Sequence, residues 1–195
     1  DLPQEQDSPA PGARECETAN TPVSAFFDPG LIPRSTIWYE QRGAIIKDPC
    51  IMTPDGKRVN AVARGSEYHY CFDIRFLTPA RGVRWGCMIK TVSGFELGGL
   101  QSSSSGDGID YVESGTLLHA KLKFRCGLLP GVYFLNCGVT AQIDGAEAYL
   151  HRGIDAVMFR VQEESGLRVT GPMDFSTSNI ERSQTEGRCR TRHAT

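Results

Sequence analysis

The chain lacks any run of apolar residues approaching the roughly eighteen that a membrane-spanning helix requires. Its start, Asp1 to Gly12, has neither a basic beginning nor an apolar stretch, so it does not read as an export signal. Excess positive charge is missing too. The 21 Lys and Arg against 23 Asp and Glu give a formal charge of −2. Holding a phosphate backbone needs a surplus of cations on one surface, so nucleic acid is not an expected partner. Helical periodicity is absent: no long window repeats its apolar residues at every third and fourth position.

The motifs of several enzyme classes are absent as well. There is no Gly-x-x-x-x-Gly-Lys-[Ser/Thr] phosphate loop and no Gly-x-Ser-x-Gly elbow. The four histidines (His69, His119, His151, His193) have neither His-x-x-x-His nor His-Glu-x-x-His spacing. The serines Ser102 to Ser105 sit in a loop with no base in view. Asp73 and Glu113 are the carboxylates a glycosidase pair would draw on, but nothing in the sequence fixes their separation, and outer-face charge is the plainer reading. Asp107 and Asp110, flanked by Gly106 and Gly108, fit a calcium loop or an ordinary turn equally well. No catalytic residue, cofactor or metal is expected. Seven cysteines (Cys16, Cys50, Cys71, Cys87, Cys126, Cys137, Cys189) form an odd, irregular set without Cys-x-x-Cys pairs. That suits reduced thiols in a cytoplasmic protein better than a disulfide scaffold or a zinc site.

What the chain does have is alternation. From Tyr68 to Phe76, Tyr68, Tyr70, Phe72, Ile74 and Phe76 fall on every second position, with His69, Cys71, Asp73 and Arg75 between them, which predicts a half-buried strand. Leu118, Ala120, Leu122 and Phe124 alternate in the same way with Leu117, His119, Lys121, Lys123 and Arg125. Tyr133, Leu135, Cys137 and Val139 set an inward row, and so do Val157, Phe159 and Val161. Further strands are expected at 36–41, at 43–52 with an edge or bulge at Pro49, at 83–91, at 95–97, and as a last edge at 166–175. Turns are expected at Thr53 to Lys57 and at Leu128 to Gly131, and 98–108 reads as a glycine- and serine-rich loop.

Short strands divided by Gly, Pro and Asp turns predict an all-β fold, an antiparallel β-sandwich of about eight strands, immunoglobulin-like or jelly-roll. Residues 28–175 would form this single module. Residues 1–27 read as a Pro-rich linker or arm whose Phe26 and Phe27 end docks on something, and 176–195 as a flexible tail.

Gly65-Ser66-Glu67-Tyr68 leading into Phe72-Asp73-Ile74, the strand Trp85 to Thr91 with its Ser93-Gly94 turn, and Leu128-Leu129-Pro130-Gly131-Val132-Tyr133-Phe134-Leu135 occur in a telling order. With the Asp155 to Val161 strand and the Gly166 element, they make residues 40 to 172 resemble the C-terminal carbohydrate-binding domain of Wzt, the nucleotide-binding subunit of O-antigen polysaccharide ABC transporters. The resemblance implies a non-catalytic, lectin-like module that grips the modified non-reducing end of a finished O-polysaccharide and couples it to export. It also implies a homodimer, in some members with an exchanged terminal strand, working with an ATPase domain and a membrane permease at the cytoplasmic side of the inner membrane. The ATPase part has no counterpart in this sequence.

Sugars are held by planar hydrogen-bonding groups beside an aromatic platform. The candidate site is therefore the outward row His69, Asp73, Arg75, His119, Lys121, Lys123 and Arg125, with Trp85 as platform; Arg152 and Arg160 come next. Arg75 and Arg125 suit an acidic or phosphorylated end group. Against this, a polar outer face is what any sandwich needs to stay dissolved, and Trp85 alternates in phase with Cys87 and Ile89 toward the core. The competing function is a protein-interaction sandwich without glycan binding.

Overall fold

The structure, a computed structural model, describes residues 24–174. At its centre lies β5 (Glu67–Phe76), where the two-residue period puts Tyr68, Tyr70, Phe72, Ile74 and Phe76 inside, each at most 2% exposed. Burial of side chains this size is worth roughly 1.5–3 kcal/mol apiece, so this one strand anchors the core. The strand β8 (Leu117–Arg125) pairs antiparallel along one side of it, Tyr70 opposite Leu122 and Asp73 opposite His119. On the other side runs β2 (Ala44–Met52), followed at the edge by β3 (Arg58–Val59). Pro49 cannot donate to a ladder, and the register of β2 jumps between Lys47 and Cys50, with Asp48 at φ 52°.

The second sheet contains β1 (Ile37–Trp38), β10 (Ala146–Val161), β9 (Gly131–Ile143), β6 (Arg84–Thr91) and β7 (Glu96–Gln101), in that order, with β4 (Ala61–Val62) also on β10. Its inner rows, including Tyr133, Leu135, Cys137, Val139, Phe159 and Val161, face those of β5. The order β2-β5-β8 against β7-β6-β9-β10 is the immunoglobulin type, a choice that strand spacing alone leaves open.

Several expectations need correction. The β4–β10 pair is parallel in a fold whose other described strand pairs are antiparallel. The strand expected at 95–97 runs on to Gln101, because Gly99 serves close approach rather than a turn: a Cβ there would lie 2.5 Å from the Cys87 carbonyl of β6. β10 begins ten residues before Ala156. Asp144 and Gly145, both at positive φ (51° and 81°), make a two-residue hairpin, and register shifts at Tyr149/His151 and Gly153/Val157 break the alternation that would have announced the strand. At 166–175, among the described residues, there is no strand; an isolated Met173–Leu128 bridge is flanked by Leu129 N–H donating to Pro172 O at 3.0 Å and Asp174 N–H donating to Gly127 O at 2.7 Å. This segment is tethered by Arg64, which binds Glu164 (2.8 and 3.0 Å) and Asp174.

At the other end, Phe26 N–H donates to Ala61 O at 3.0 Å and Ala25 packs on the core, so residues 24–27 already join the sandwich. The remaining expectations for the arm and the tail, with Cys16, Cys189 and His193, lie outside the described residues. No described helix is long and apolar enough to cross a membrane.

Candidate functional site

Seven of the sequence-derived candidates do share one surface. His69, Asp73 and Arg75 of β5 and His119, Lys121, Lys123 and Arg125 of β8 all lie on the outer face of the four-stranded sheet. Four of the seven already hold partners there. His119 Nδ1 meets Asp73 Oδ1 at 2.6 Å, Lys123 Nζ meets Glu67 Oε2 at 2.8 Å, and Arg125 Nε donates to Gly65 O at 2.9 Å. The Lys123 ammonium holds the Glu67 carboxyl below its ordinary pKa. Charges spread along an exposed edge strand also discourage pairing with another chain. Trp85 is not part of this surface. It belongs to β6 in the other sheet and packs half-buried against the core, where its phase with Cys87 and Ile89 puts it.

The outer face of the second sheet is built differently. Gly86 of β6 and Gly138 of β9 are directly opposite in the ladder, and with no side chains there the face sinks into a cleft of about 250 Å³. Neither glycine can be enlarged without displacing a neighbour. A Cβ on Gly138 would lie 2.7 Å from the Tyr149 ring, and one on Gly86 would lie 2.6 Å from the Gln101 side chain. Glycine inside a strand marks such close approach. One wall is Tyr149 and Arg152 of β10, the other Glu96 and Gln101 of β7, with Met88, Asn136 and Thr140 between them. One end is fixed by Arg84, whose Nη1 meets both Glu147 oxygens (3.0 and 2.9 Å) while its Nε and Nη2 donate to Ser103 O. Thr140 Oγ1 donates to the same carboxylate at 2.6 Å.

Beyond Asn136 lies a buried ion pair. Lys90 Nζ meets Asp155 Oδ1 at 2.6 Å, Ser35 Oγ donates to Oδ2 at 2.5 Å, and Asp155 N–H donates to Asn136 Oδ1 at 2.9 Å. Asp155 sits in the second bulge of β10 at φ 51°, a left-handed conformation that Asp tolerates better than most residues. A strap, residues 35–42, runs along the outer edge of β10. Tyr39 N–H donates to Arg152 O at 3.0 Å, Arg42 N–H donates to Leu150 O at 2.7 Å, and Trp38 stacks on His151 with ring centroids 5.2 Å apart. Arg152 carries its guanidinium over the rings of Tyr149 (5.0 Å) and Tyr39 (5.9 Å).

A larger groove of about 450 Å³ opens between the sheets beside β7 and β8, lined by Ile89, Leu97, Phe124, Leu128, Leu135 and Met173 among others. Its walls are mostly apolar and offer a saccharide few partners. A third cavity, about 170 Å³, lies under Phe27, Pro29 and Ile32. The five described cysteines are free thiols, and burial pushes Cys87 up to about 11 and Cys137 up to about 12, so neither supplies a thiolate near neutrality. Among the described residues, no three His, Cys, Asp or Glu are grouped to hold a metal ion.

Of the cleft's residues, the sequence reading singled out only Arg152 and Trp85; Arg160 instead pairs with Asp28 at 3.3 Å. The signal that could have found the rest is Gly86 and Gly138, each inside a strand pattern where a glycine has no turn to make.

Fold and cleft together define an immunoglobulin-type β-sandwich module with a polar, concave outer face. A family model described as the Wzt C-terminal domain matches residues 35–175, well over half of the chain, and the chain belongs to that family. The family is the C-terminal domain of a transporter subunit, and it gives the chain a role in an O-antigen ABC transporter. A solved structure described as the crystal structure of the C-terminal domain of wzt is similar in fold. It has a TM-score of 0.68 and 24% identity, covering 79% of this chain and 92% of that one. A structural-genomics target that matches at 11% identity and a TM-score of 0.28, covering 70% of this chain and 91% of its own, bears no weight. No curated protein matches the chain.

Proposed function

We propose that the chain is a non-catalytic carbohydrate-binding module that takes the modified non-reducing end of an O-antigen polysaccharide into the Gly86–Gly138 cleft. The observation that carries this reading is the cleft itself. At about 250 Å³ it falls below the roughly 300–1,000 Å³ of drug-sized pockets, which suits one end residue rather than a stretch of chain. Its equipment also suits a sugar: a Tyr149 ring for an apolar ring face, and Gln101, Glu96, Arg152 and Thr140 for hydroxyls. The charged row on the opposite sheet, His69 to Arg125, becomes the solvated back of the module. A homodimer on the cytoplasmic side of the inner membrane, beside the transporter's ATPase domain and permease, completes the reading.

The test is an array of bacterial O-polysaccharides, intact and with the terminal residue removed. Wild-type protein is expected to bind according to end group and independently of chain length, and Tyr149→Ala to lose binding while melting like wild type. The double variant Arg75→Ala, Arg125→Ala should bind as wild type does. Binding that grows with the number of internal repeats, or that survives Tyr149→Ala, would overturn the assignment. Capture of a protein partner with no glycan bound would favour the interaction-module alternative.

A further inference from the structure

The cations on the cleft's sheet are nearly all spoken for. Arg84 is held bidentate by Glu147, Lys90 by Asp155 and Arg160 by Asp28. Arg152 is the exception: among the described residues no carboxylate pairs with it, and no side-chain hydrogen bond engages its donors. It is not loose either. The rings of Tyr149 and Tyr39 lie against its guanidinium and Tyr39 N–H holds its backbone, so the side chain is placed without its N–H rim being used. A cation–π contact consumes no N–H hydrogen bond, so the five donors of the guanidinium stay available to a ligand.

We infer that the cleft selects an end group bearing an oxyanion, carboxylate or phosphate, on its sugar ring, and that Arg152 receives it. This rests on the reading of the cleft as the saccharide site and adds the ligand's charge and orientation. The cleft spans four strands, β10-β9-β6-β7, which puts its walls roughly 14 Å apart at the backbone, three strand spacings. Glu96 stands on the far wall. Repulsion from Glu96 and attraction to Arg152 orient an anionic ring one way round, anion to β10 and hydroxyls to Glu96 and Gln101. Arg152 is only half-buried, so its attraction is partly screened by water and falls further as salt is added.

Methyl β-glucuronide, methyl β-glucoside and inorganic phosphate, titrated into the ¹⁵N-labelled chain, separate the possibilities through the amide signals of Gly86 and Gly138. The glucuronide is expected to bind at least about tenfold tighter than the glucoside, the margin a charge-assisted hydrogen bond provides, with the gap closing in added salt. Arg152→Gln should bring the two sugars level, and Arg152→Lys should restore part of the gap. Equal binding of both sugars, unchanged in Arg152→Gln, would refute the anion preference and leave the saccharide site standing. Phosphate alone binding as tightly as the glucuronide would refute the sugar-borne anion. If no sugar moves either glycine signal, both the preference and the site fall.

Discussion

At the scale of single residues the cleft depends on what two glycines omit. Gly138→Ala should force the Tyr149 ring off the floor, an overpacking cost of about 1–3 kcal/mol visible as a lower melting temperature, and it should abolish glycan binding as Tyr149→Ala does. Wild-type binding by Gly138→Ala would mean the ring is not the platform. Such positions are hard to read in sequence, because glycine within a strand pattern looks like a weak point. Only the register that sets Gly86 against Gly138, 52 positions apart, turns two gaps into one hollow. Tyr68 to Phe76, by contrast, announces its burial locally, since each side chain's fate follows from its neighbours two positions away.

At the scale of elements, β10, which supplies Tyr149 and Arg152 to the cleft, is the least legible strand. Its first half bulges twice, so the alternation is out of phase from one side of each bulge to the other, and the reading began only where regularity resumes at Ala156. The second bulge is held by the Asp155–Lys90 pair, with side chains 9% and 16% exposed. Asp155→Ala leaves a mostly buried ammonium unpaired and is expected to cost about 3–5 kcal/mol, measured as a drop in urea midpoint. Adding Lys90→Met should recover more than half of that loss. A double variant no more stable than the single would show that the bulge, not the charge, sets the cost. The outward face of the β8 row is legible in its alternation, but its ion pairs are not, because the partners Glu67 and Asp73 come from the neighbouring strand.

At the scale of the whole molecule, a buried histidine ties one sheet to the other by a hydrogen bond. His151 of β10 is 3% exposed and accepts the Ile46 N–H of β2 on Nδ1 at 2.9 Å, an arrangement only the neutral ring can make. Burial lowers its pKa from the ordinary value, against an opposing hydrogen bond with the Tyr39 backbone. In the unfolded chain the ring protonates near its free value of about 6.5, while the folded ring resists until a lower pH. The unfolded state therefore binds the extra proton in that window. Stability is fully present above it and falls as pH drops through it, levelling off below the folded-state pKa. Melting curves at pH 7.5 and 5.5 are expected to show a larger loss in wild type than in His151→Gln, and equal losses would exclude His151 as the cause.

The strap along β10 makes the rim of the hollow continuous with the chain that leads into it. Ser35 and Thr36 grip Asp155, Trp38 lies on His151, and Tyr39 braces Arg152 by backbone and ring, so occupancy of the rim is expected to stiffen this strap. A loaded module should therefore transmit its state upstream as tension rather than as a change of shape. Slower deuterium uptake at the Tyr39 and Arg42 amides on adding glycan is the signature to seek, and uptake indifferent to glycan would leave the strap a passive hem.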